Sequence, residues 1–366
     1  MLTVLVNAVS VPPRPAGAGR YAIELLRALS DTEGVRVLAA GPPWLRAYGI
    51  PLALEAPAAG APARTAWELS ALPWRVRKME YDVYHGTHFT VPPGLGRPTV
   101  ATVHDLTFYL LPRRYDAVHR WYYRVLAESA ARADRIIVPS RSVAEAFAER
   151  FPLTTGRIRV VPEAPSAVFR PASDEEVAEA LARHGVEPPY LLCVGTGEPN
   201  KRAVDAVRAL PLLLEQGLDC RLALAGNPGR LTLPLAREAE RLGVGGRVRF
   251  LGYVTDDDLR ALYTGAVALV FPSLVEGFGL PPLEAMACGT PVISTDAPAM
   301  NEVLRGAAIF VPRRNPTAIA EAAARLLREP SWREEWAGRA RDHAAAFSWQ
   351  RTAAETAAVY REVAGR

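Results

Sequence analysis

The stretch FPSLVEGFGLPPLEAMACGTPVIST, residues 271–295, decides how this chain is interpreted. It places Glu276 and Glu284 eight positions apart, with two glycines and a pair of prolines between them. The apolar run VALVFPS, residues 267–273, predicts a buried strand, and PPLEAMAC, residues 281–288, predicts a short helix with proline in its first turn. One carboxylate therefore precedes a glycine turn and the other lies inside the helix that follows, which focuses attention on the helix N-terminus.

Apolar runs alternate with amphipathic segments along the chain, which predicts parallel sheets covered by helices. Strands are predicted at residues 2–7, 35–40, 82–86, 99–105, 135–140, 157–162, within 190–202, and at 221–226, 248–253, 267–273, 291–295 and 307–312. Helices are predicted between strands, among them residues 19–31, 117–133 and 347–365. The second half repeats the order of the first. Two such α/β sheets in tandem predict a crevice, with ligands bound beyond the carboxyl ends of the strands.

Composition excludes several classes of protein. The 366 residues carry a formal net charge of +4, and the basic residues are scattered without a nucleic-acid-binding motif, so we expect no nucleic acid partner. Cys193, Cys220 and Cys288 each lie in an apolar stretch, which favours reduced, buried thiols and a cytoplasmic protein. The sequence contains no run of 18 apolar residues, so no membrane span is predicted. The N-terminal residues predict a strand rather than a signal peptide.

The loop after the first strand contains Gly17 and Gly19 in a loose G-x-G-x-x-A pattern that opens a helix. Ten residues separate it from Asn7, and no acidic residue follows the strand at 35–40, so we disfavour a nicotinamide or flavin cofactor. Small residues here allow backbone amides to approach an anion at a helix N-terminus. The alternative is a flexible surface loop.

The segment VGTGEPNKR, residues 194–202, repeats the strand, glycine turn and helix start in the second half. It lacks the G-x-x-x-x-G-K-[ST] pattern and is not a P-loop. Gly197 lies in the turn, and Lys201 and Arg202 stand at the predicted helix start, where two cations suit a diphosphate. The alternative is a pair of solvated surface charges.

Histidines follow two strands of the first half. His104 and Asp105 end the segment TVATVHD at a sheet edge that faces the predicted crevice, while His85 and His88 are weaker candidates. A structural histidine satisfied by its neighbours is the alternative for His104. A hydrolase triad is disfavoured because no G-x-S-x-G turn occurs.

The helix that carries Glu284 offers the amides of Phe278, Gly279 and Leu280 at its N-terminus, where a phosphate is favoured. A carboxylate can accept two hydrogen bonds from a vicinal diol. A nucleoside-diphosphate sugar has a diol-bearing ribose and a diol-bearing hexose at the two ends of its diphosphate. The two glutamates could therefore bind the two diols, and the turn between them could bind the diphosphate. Two alternatives are a purely structural pair and the acid and nucleophile of a glycosidase, which has no need of a phosphate site.

From here the residues are recognisable as a family pattern. The stretch LGYVTDDDLRALYTGAVALVFPSLVEGFGLPPLEAMACGTPVI, together with the glycine loop, HDLTF and VGTGEPNKR, resembles the retaining glycosyltransferases called group 1 or family four, with their E-x7-E motif at Glu276 and Glu284. The resemblance implies a GT-B fold, with two Rossmann-like α/β domains facing each other across a cleft. It implies no divalent metal and no cofactor, so Asp256, Asp257 and Asp258 are interpreted as first-turn residues of a helix.

The resemblance also implies domain boundaries. Residues 1–165 are expected to form the acceptor-side domain, with the helix at 347–366 packing back on it. Residues 166–188 are expected to be a linker, and residues 189–346 the nucleotide-sugar-binding domain.

The resemblance assigns a role to each candidate residue. Catalytic roles fall to His104 near the reacting carbon, Lys201 at the diphosphate and Glu276 at the transferred sugar. Donor contacts fall to Gly17, Gly19, Gly197, Arg202, Gly252, Tyr253, Val254, Gly277, Phe278, Gly279, Leu280 and Glu284, with residues 252–254 beside the base and Glu284 at the ribose. The chain departs from the family at Asn200, where arginine is usual, so Arg202 is a candidate replacement, and at Glu163, for which the sequence suggests no role.

The implied activity is transfer of a hexose, with GDP-mannose and UDP-glucose as the leading donors, to a hydroxyl of a glycan, a lipid-linked glycan or a small molecule, as in polysaccharide biosynthesis. The alternatives are a non-catalytic sugar-nucleotide-binding protein on the same fold and a sugar-nucleotide epimerase. The segment RRYDAVHRWYYRVL, residues 113–126, mixes arginines and aromatics and suits either contact with anionic lipid at the inner face of the plasma membrane or a core helix with a solvated face.

Overall fold

The computed structural model describes residues 1–195, 197–226, 229 and 231–365. The chain divides into two compact units, residues 1–164 with 348–366 and residues 165–347. Each unit has its own sheet and its own core. Residues 166–188, predicted as a linker, group with the second unit, whose core contains Phe169 and Val186.

Each unit is built on a sheet whose neighbouring strands all run parallel. In chain order the strands are β1 (Leu2–Asn7), β2 (Val35–Gly41), β3 (Leu52–Glu55), β4 (Val83–Gly86), β5 (Thr99–Thr102), β6 (Arg135–Val138), β7 (Ile158–Val160), β8 (Tyr190–Val194), β9 (Arg221–Ala225), β10 (Val248–Gly252), β11 (Ala268–Phe271), β12 (Val292–Thr295) and β13 (Ile309–Val311). The sheet orders are β3-β2-β1-β4-β5-β6-β7 and β10-β9-β8-β11-β12-β13. The predicted α/β class is confirmed.

Helices separate most of the strands. In chain order they are α1 (Ala18–Ser30), α2 (Ala61–Val76), α3 (Thr107–Leu110), α4 (Ala117–Ala130), α5 (Arg141–Arg150), α6 (Asp174–His184), α7 (Ala203–Leu214), α8 (Thr232–Arg241), α9 (Asp256–Gly265), α10 (Leu280–Ala287), α11 (Pro298–Val303), α12 (Pro316–Arg328), α13 (Pro330–Ala344) and α14 (Trp349–Val363). Among the described residues, no helix combines the length and hydropathy needed to cross a membrane.

Two elements of the first unit, β3 and α2, were not predicted from the sequence. The buried side of α2 carries Thr65, Glu68, Leu72 and Val76 at helical spacing. Polar residues occupy two of these four positions, so the apolar periodicity that marks other helices is missing here. The buried polar pair is satisfied by long-range partners, since Asn7 donates to Glu68 at 2.7 Å and Thr65 lies 2.7 Å from the Tyr122 hydroxyl.

The C-terminal helix α14 packs on the first unit, mainly against α1. The Tyr360 hydroxyl is fully buried and lies 2.6 Å from Nδ1 of His85. The Thr352 hydroxyl donates to the Pro162 carbonyl at 2.7 Å. Glu362 accepts ion pairs from Arg159 and from Arg135 on the neighbouring strands. The last helix is therefore part of the first unit's core.

Candidate functional site

Both sheets reverse their strand order at a defined point, and ligands of open α/β sheets bind at the carboxyl edge there. In the first sheet this point lies between β1 and β4, and in the second between β8 and β11. The loops after these strands carry most of the predicted residues: the glycine loop at 17–19 follows β1, Lys201 follows β8 and Glu276 follows β11. The strand order therefore places these loops at the switch point of each sheet, a position that the sequence pattern could only suggest.

Lys201 and Glu276 form an ion pair at the switch point of the second unit. Nζ of Lys201 lies 2.9 Å from one Glu276 carboxylate oxygen and 3.1 Å from the other, with side chains only 14% and 11% exposed. Ser273 donates to the same carboxylate at 2.5 Å, and Nζ stands 4.9 Å from the ring centroid of Phe271. Charge-assisted bonds in so dry a setting fix both groups in place. The arrangement presents a cation and a carboxylate side by side.

Asn200, at the position where the resemblance leads us to expect arginine, links the two loops of this site by hydrogen bonds. Its side-chain amide donates to the Val275 carbonyl at 3.2 Å, and its own carbonyl accepts from the Leu274 amide at 2.9 Å. The short turn that carries Lys201 is thus bonded to the loop that carries Glu276. A structural amide has taken the place of a cation.

Arg202 does not stand free as a replacement cation. It begins α7 with φ 50° and forms a two-bond ion pair with Asp205, at 2.9 Å and 2.6 Å. Asp205 is 1% exposed, so its buried carboxylate depends on this partner. In the structure the positive charge of Arg202 is balanced by Asp205 within α7, whereas Lys201 pairs with Glu276 in the loop that leads to the tip of α10. Gly197 lies in the loop that carries Lys201, and Thr196 beside it lies outside the described residues.

The N-terminus of α10 is a narrow donor site. Pro281 and Pro282 have no N–H, and Leu283 already donates to the Gly279 carbonyl at 3.4 Å. The backbone donors at the tip are therefore those of Gly279 and Leu280. Phe278 precedes this tip, and its side chain is buried in the core near Phe347.

Glu284 lies one turn inside α10 and is 4% exposed. The Tyr263 hydroxyl donates to its carboxylate at 3.2 Å, and Tyr263 in turn packs edge-on against Phe169. Glu276 and Glu284 are both withdrawn from bulk solvent and both belong to the second unit.

Residues 252–254 lie where β10 ends, at the same carboxyl edge. Gly252 adopts φ 67°, Tyr253 is 46% exposed and Val254 is buried. An exposed aromatic ring beside a buried valine can offer a stacking surface to a planar base. The side chains at 256–258 occupy the first turn of α9 behind the N-cap Thr255, as predicted, and Asp258 additionally pairs with Arg183 and His184.

The glycine loop of the first unit is shaped by sterics. Gly17 has φ 48° and precedes α1, and the Gly19 amide donates to the Ala16 carbonyl at 3.0 Å. A Cβ on Gly19 would lie 3.0 Å from Pro12 and 3.4 Å from Pro15, so only glycine fits without displacement. The Gly19 amide is thus engaged within its own turn.

His104 lies beyond β5 and is hydrogen-bonded at both ring nitrogens. Nδ1 is 3.0 Å from a Glu163 carboxylate oxygen, and Nε2 is 2.8 Å from the Thr87 carbonyl. Tyr21 packs edge-on against the ring at 4.7 Å between centroids, and His88 stacks on it at 6.1 Å. His85 is structural, since it is fully buried between Tyr360 and Thr102.

Sequence reasoning noted Glu163 without interpreting it, and it missed Thr87, Tyr21 and Ser273. Only Glu163 left a signal, as an acidic residue directly after the strand predicted at residues 157–162. Among the described residues, no group of three or more His, Cys, Asp or Glu side chains is arranged to hold a metal ion.

Comparison with known proteins agrees with this geometry. Residues 175–343 match the family described as glycosyl transferases group 1, and residues 15–164 match glycosyltransferase family 4. The O-antigen chain mannosyltransferase B of Escherichia coli is 33% identical over 315 residues, covering 85% of this chain and 80% of that protein. The D-inositol 3-phosphate glycosyltransferase of Salinispora tropica is 35% identical over 257 residues, covering 65% of this chain and 53% of that one.

Solved structures show the same fold. Anabaena Alr3699/HepE in complex with UDP and glucose superposes with a TM-score of 0.78 at 20% identity, covering 98% of this chain and 99% of that one. WaaG, described as a glycosyltransferase involved in lipopolysaccharide biosynthesis, gives 0.73 at 19% identity, covering 99% and 100%. The fold and the switch-point residues thus define a glycosyltransferase of the GT-B type. Within that class, the chain belongs to family four, the group 1 glycosyl transferases.

Proposed function

We propose that this glycosyltransferase moves a hexose, mannose or glucose, from a nucleoside-diphosphate sugar to a hydroxyl of a glycan, a lipid-linked glycan or a small-molecule acceptor, with retention at the anomeric carbon. The observation that carries the proposal is the Lys201–Glu276 pair beside the α10 tip. It offers a cation, two backbone donors and a carboxylate within one unit. Such a set suits a diphosphate joined to a polyhydroxylated ring.

The roles divide along the donor. Lys201 and the amides at Gly279 and Leu280 hold the diphosphate, Glu276 with Gly277 takes the transferred sugar, and Glu284 takes the ribose. Tyr253 and its neighbours border the base. His104 is the candidate for the reacting end of the sugar. Gly17, Gly19, Gly197 and Arg202 shape or border the diphosphate site.

The transition state of such a transfer resembles an oxocarbenium ion with a departing diphosphate. Stabilising the departing negative charge is the main catalytic task, and fixed donors already in place do so without reorganisation. Lys201 fits this role because its three N–H donors can serve Glu276 and a phosphate oxygen together. No side chain of this site is assigned as a nucleophile, and the departing phosphate takes the acceptor's proton.

Among hexoses, mannose has the stronger support. Several relatives are described as mannosyltransferases, among them the O-antigen chain mannosyltransferase B and the serotype-specific mannosyltransferase WbdA, both of Escherichia coli. Glucose stays the second candidate, since Anabaena HepE was crystallised with UDP and glucose. A thermal-shift screen against GDP-mannose and UDP-glucose separates the two, because the cognate donor raises the unfolding midpoint and the other does not.

The experiment that tests the activity is Lys201→Ala, assayed by release of free nucleotide from the donor and by sugar transfer. We expect turnover to fall by about 10²- to 10³-fold. Lys78→Ala is the matched control, since Lys78 is an exposed lysine of the first unit. Because Glu276 keeps its Ser273 partner, the variant is expected to fold, and its thermal unfolding is measured alongside. Unchanged turnover in Lys201→Ala would refute the assignment. A wild-type chain that binds donor without releasing nucleotide would favour the non-catalytic alternative.

Helix α4, in the unit predicted to bind the acceptor, has an exposed surface. Half of α4 is not core: Val118 is 73% exposed and Trp121 is 67% exposed, while the buried residues of this helix all lie from Leu126 onward. Arg120 lies in this half, and Arg124 stands about one turn further along the helix. Apolar groups beside cations suit the headgroup region of an anionic membrane. We propose that this half-helix contacts the inner face of the plasma membrane from the cytoplasm, which suits a lipid-linked acceptor.

A further inference from the structure

The two ring nitrogens of His104 are hydrogen-bonded to Glu163 and to the Thr87 carbonyl. The proposed transfer explains neither contact. A backbone carbonyl can only accept, so Nε2 must carry a proton. Nδ1 faces a carboxylate oxygen of Glu163. When this carboxylate is ionised it can only accept a hydrogen bond, so Nδ1 must then carry a proton as well. Both side chains are nearly dry, with His104 11% and Glu163 6% exposed. The ring is thus set between two acceptors.

We propose that Glu163 is a positioning residue that holds His104 as a doubly protonated imidazolium, so that His104 acts in the transfer as a fixed cation and not as a general base. The protonation state rests on the geometry of the first unit alone. Its catalytic meaning rests on the function proposed above. A ring with both N–H groups committed has no lone pair for an acceptor hydroxyl, so the acceptor's proton leaves by another route. A fixed positive charge favours the departing diphosphate.

The surroundings of His104 support the charged form. Burial by itself lowers the pKa of His104, but the hydrogen bond and charge of Glu163 outweigh it and leave the pKa raised from 6.5, with smaller help from the Thr87 carbonyl and Asp105. The other titratable groups around the ring are His85, His88 and Tyr21. Burial, with the nearby His104 charge, holds the pKa of His85 and His88 at about 3, so both stay neutral. Burial also raises the pKa of Tyr21, which therefore adds no charge.

The backbone around the pair is braced by other elements. The Thr87 amide and hydroxyl both donate to the Asn7 carbonyl at the end of β1, at 3.2 Å and 2.8 Å. The Pro162 carbonyl, next to Glu163, accepts from Thr352 of α14 at 2.7 Å. The backbone at or next to each residue that faces His104 is therefore hydrogen-bonded to a distant part of the unit. Such bracing is what holding one ring orientation and one protonation state requires.

The test is the protonation state of His104, read in the full chain by nitrogen NMR of labelled histidine. The His104 signal is assigned by its loss in His104→Gln. In the wild type we expect a titration midpoint above the usual 6.5, so that the ring is predominantly doubly protonated at pH 6. A neutral His104 in the wild type at pH 6.5 would overturn the proposal, whatever the variants do. This readout needs neither donor nor acceptor, so it stays distinct from failure of the proposed function.

Glu163→Gln removes the charge and keeps the shape. We expect the His104 midpoint to fall below 6.5, because burial then dominates, and nucleotide release to fall by about tenfold to hundredfold at unchanged donor KM. Asp105→Asn is the matched control. It removes a nearby carboxylate that does not bond the ring, so a smaller shift is expected. A Glu163→Gln variant that titrates like the wild type, or one that raises KM alone, contradicts a positioning role.

Discussion

Gly279 combines a positive φ of 101° with close packing at the tip of α10. A Cβ at this position would stand 2.6 Å from the terminal methyl of Met300. A side chain would therefore meet both backbone strain and a steric clash, although Met300 is flexible enough to yield in part. The glycine lets the helix tip present its amides with nothing in front of them.

We predict that Gly279→Ala lowers the free energy of unfolding by about 1–3 kcal/mol and weakens nucleotide binding. Gly338→Ala is the control, since Gly338 lies inside α13 with open space around it and should gain up to about 1 kcal/mol from better helix propensity. Chemical denaturation and a nucleotide thermal-shift series measure the two effects. Equal stability of the two alanine variants would contradict the explanation.

The protonation state of His104 also predicts how the stability of the fold depends on pH. Because the folded-state pKa lies above the unfolded value of about 6.5, the Glu163 contact stabilises the fold fully below that pH. The contribution is lost as pH rises through the raised pKa. Wild type and Glu163→Gln should therefore differ more in unfolding midpoint at pH 6 than at high pH.

At the scale of elements, α4 is divided along its length. Its second half packs into the core through Leu126, Ala127 and Ala130, while Val118 and Trp121 lie exposed in its first half. Asp116 caps the helix by accepting from the His119 amide at 2.9 Å. The sequence left two interpretations of this segment open, and the burial pattern supports a core helix for the second half and leaves the first half exposed.

We predict that a Val118→Ser, Trp121→Ser double variant loses roughly tenfold in affinity for vesicles of mixed phosphatidylcholine and phosphatidylglycerol, because about 1–2 kcal/mol of apolar contact is removed. Leu233→Ser is the control, since Leu233 is 69% exposed in the second unit. Co-sedimentation measures the binding, and wild-type binding should weaken with salt. Equal binding to neutral vesicles, or an unaffected double variant, would sink the membrane contact.

At the scale of the whole molecule, the two units differ in how the chain builds them. The second is continuous from Pro165 to Phe347, whereas the first needs the distant segment Ser348–Arg366. Removing that segment would strip α1 of its partner helix and leave His85 without the Tyr360 hydroxyl. A buried histidine without its partner carries a desolvation cost.

We predict that residues 165–347 expressed alone fold and bind nucleotide, because this fragment holds Lys201, Glu276 and Glu284. Residues 1–164 alone should unfold or aggregate. The same residues joined to 348–366 through a flexible Gly/Ser linker should show a cooperative thermal transition. Circular dichroism and size-exclusion chromatography measure these outcomes, and a stable monomer of residues 1–164 would contradict the prediction.

The sequence by itself determined the alternation of strands and helices, the glycine turn before α10 and the spacing of Glu276 and Glu284. These features are local, since apolar periodicity and turn chemistry act over a few residues. It missed α2, because that helix buries Thr65 and Glu68 where an apolar stripe would mark it.

Only the tertiary structure decided the partners of the site residues. Lys201 meets Glu276 across 75 positions of sequence, and His104 meets Glu163 across 59. Contacts of this range depend on strand order and register, which bring the ends of distant strands to one edge of a sheet. Local pattern carries no such information, which is why Glu163 acquired an interpretation only when the loop after β7 was seen to meet the loop after β5 at the same edge of the sheet.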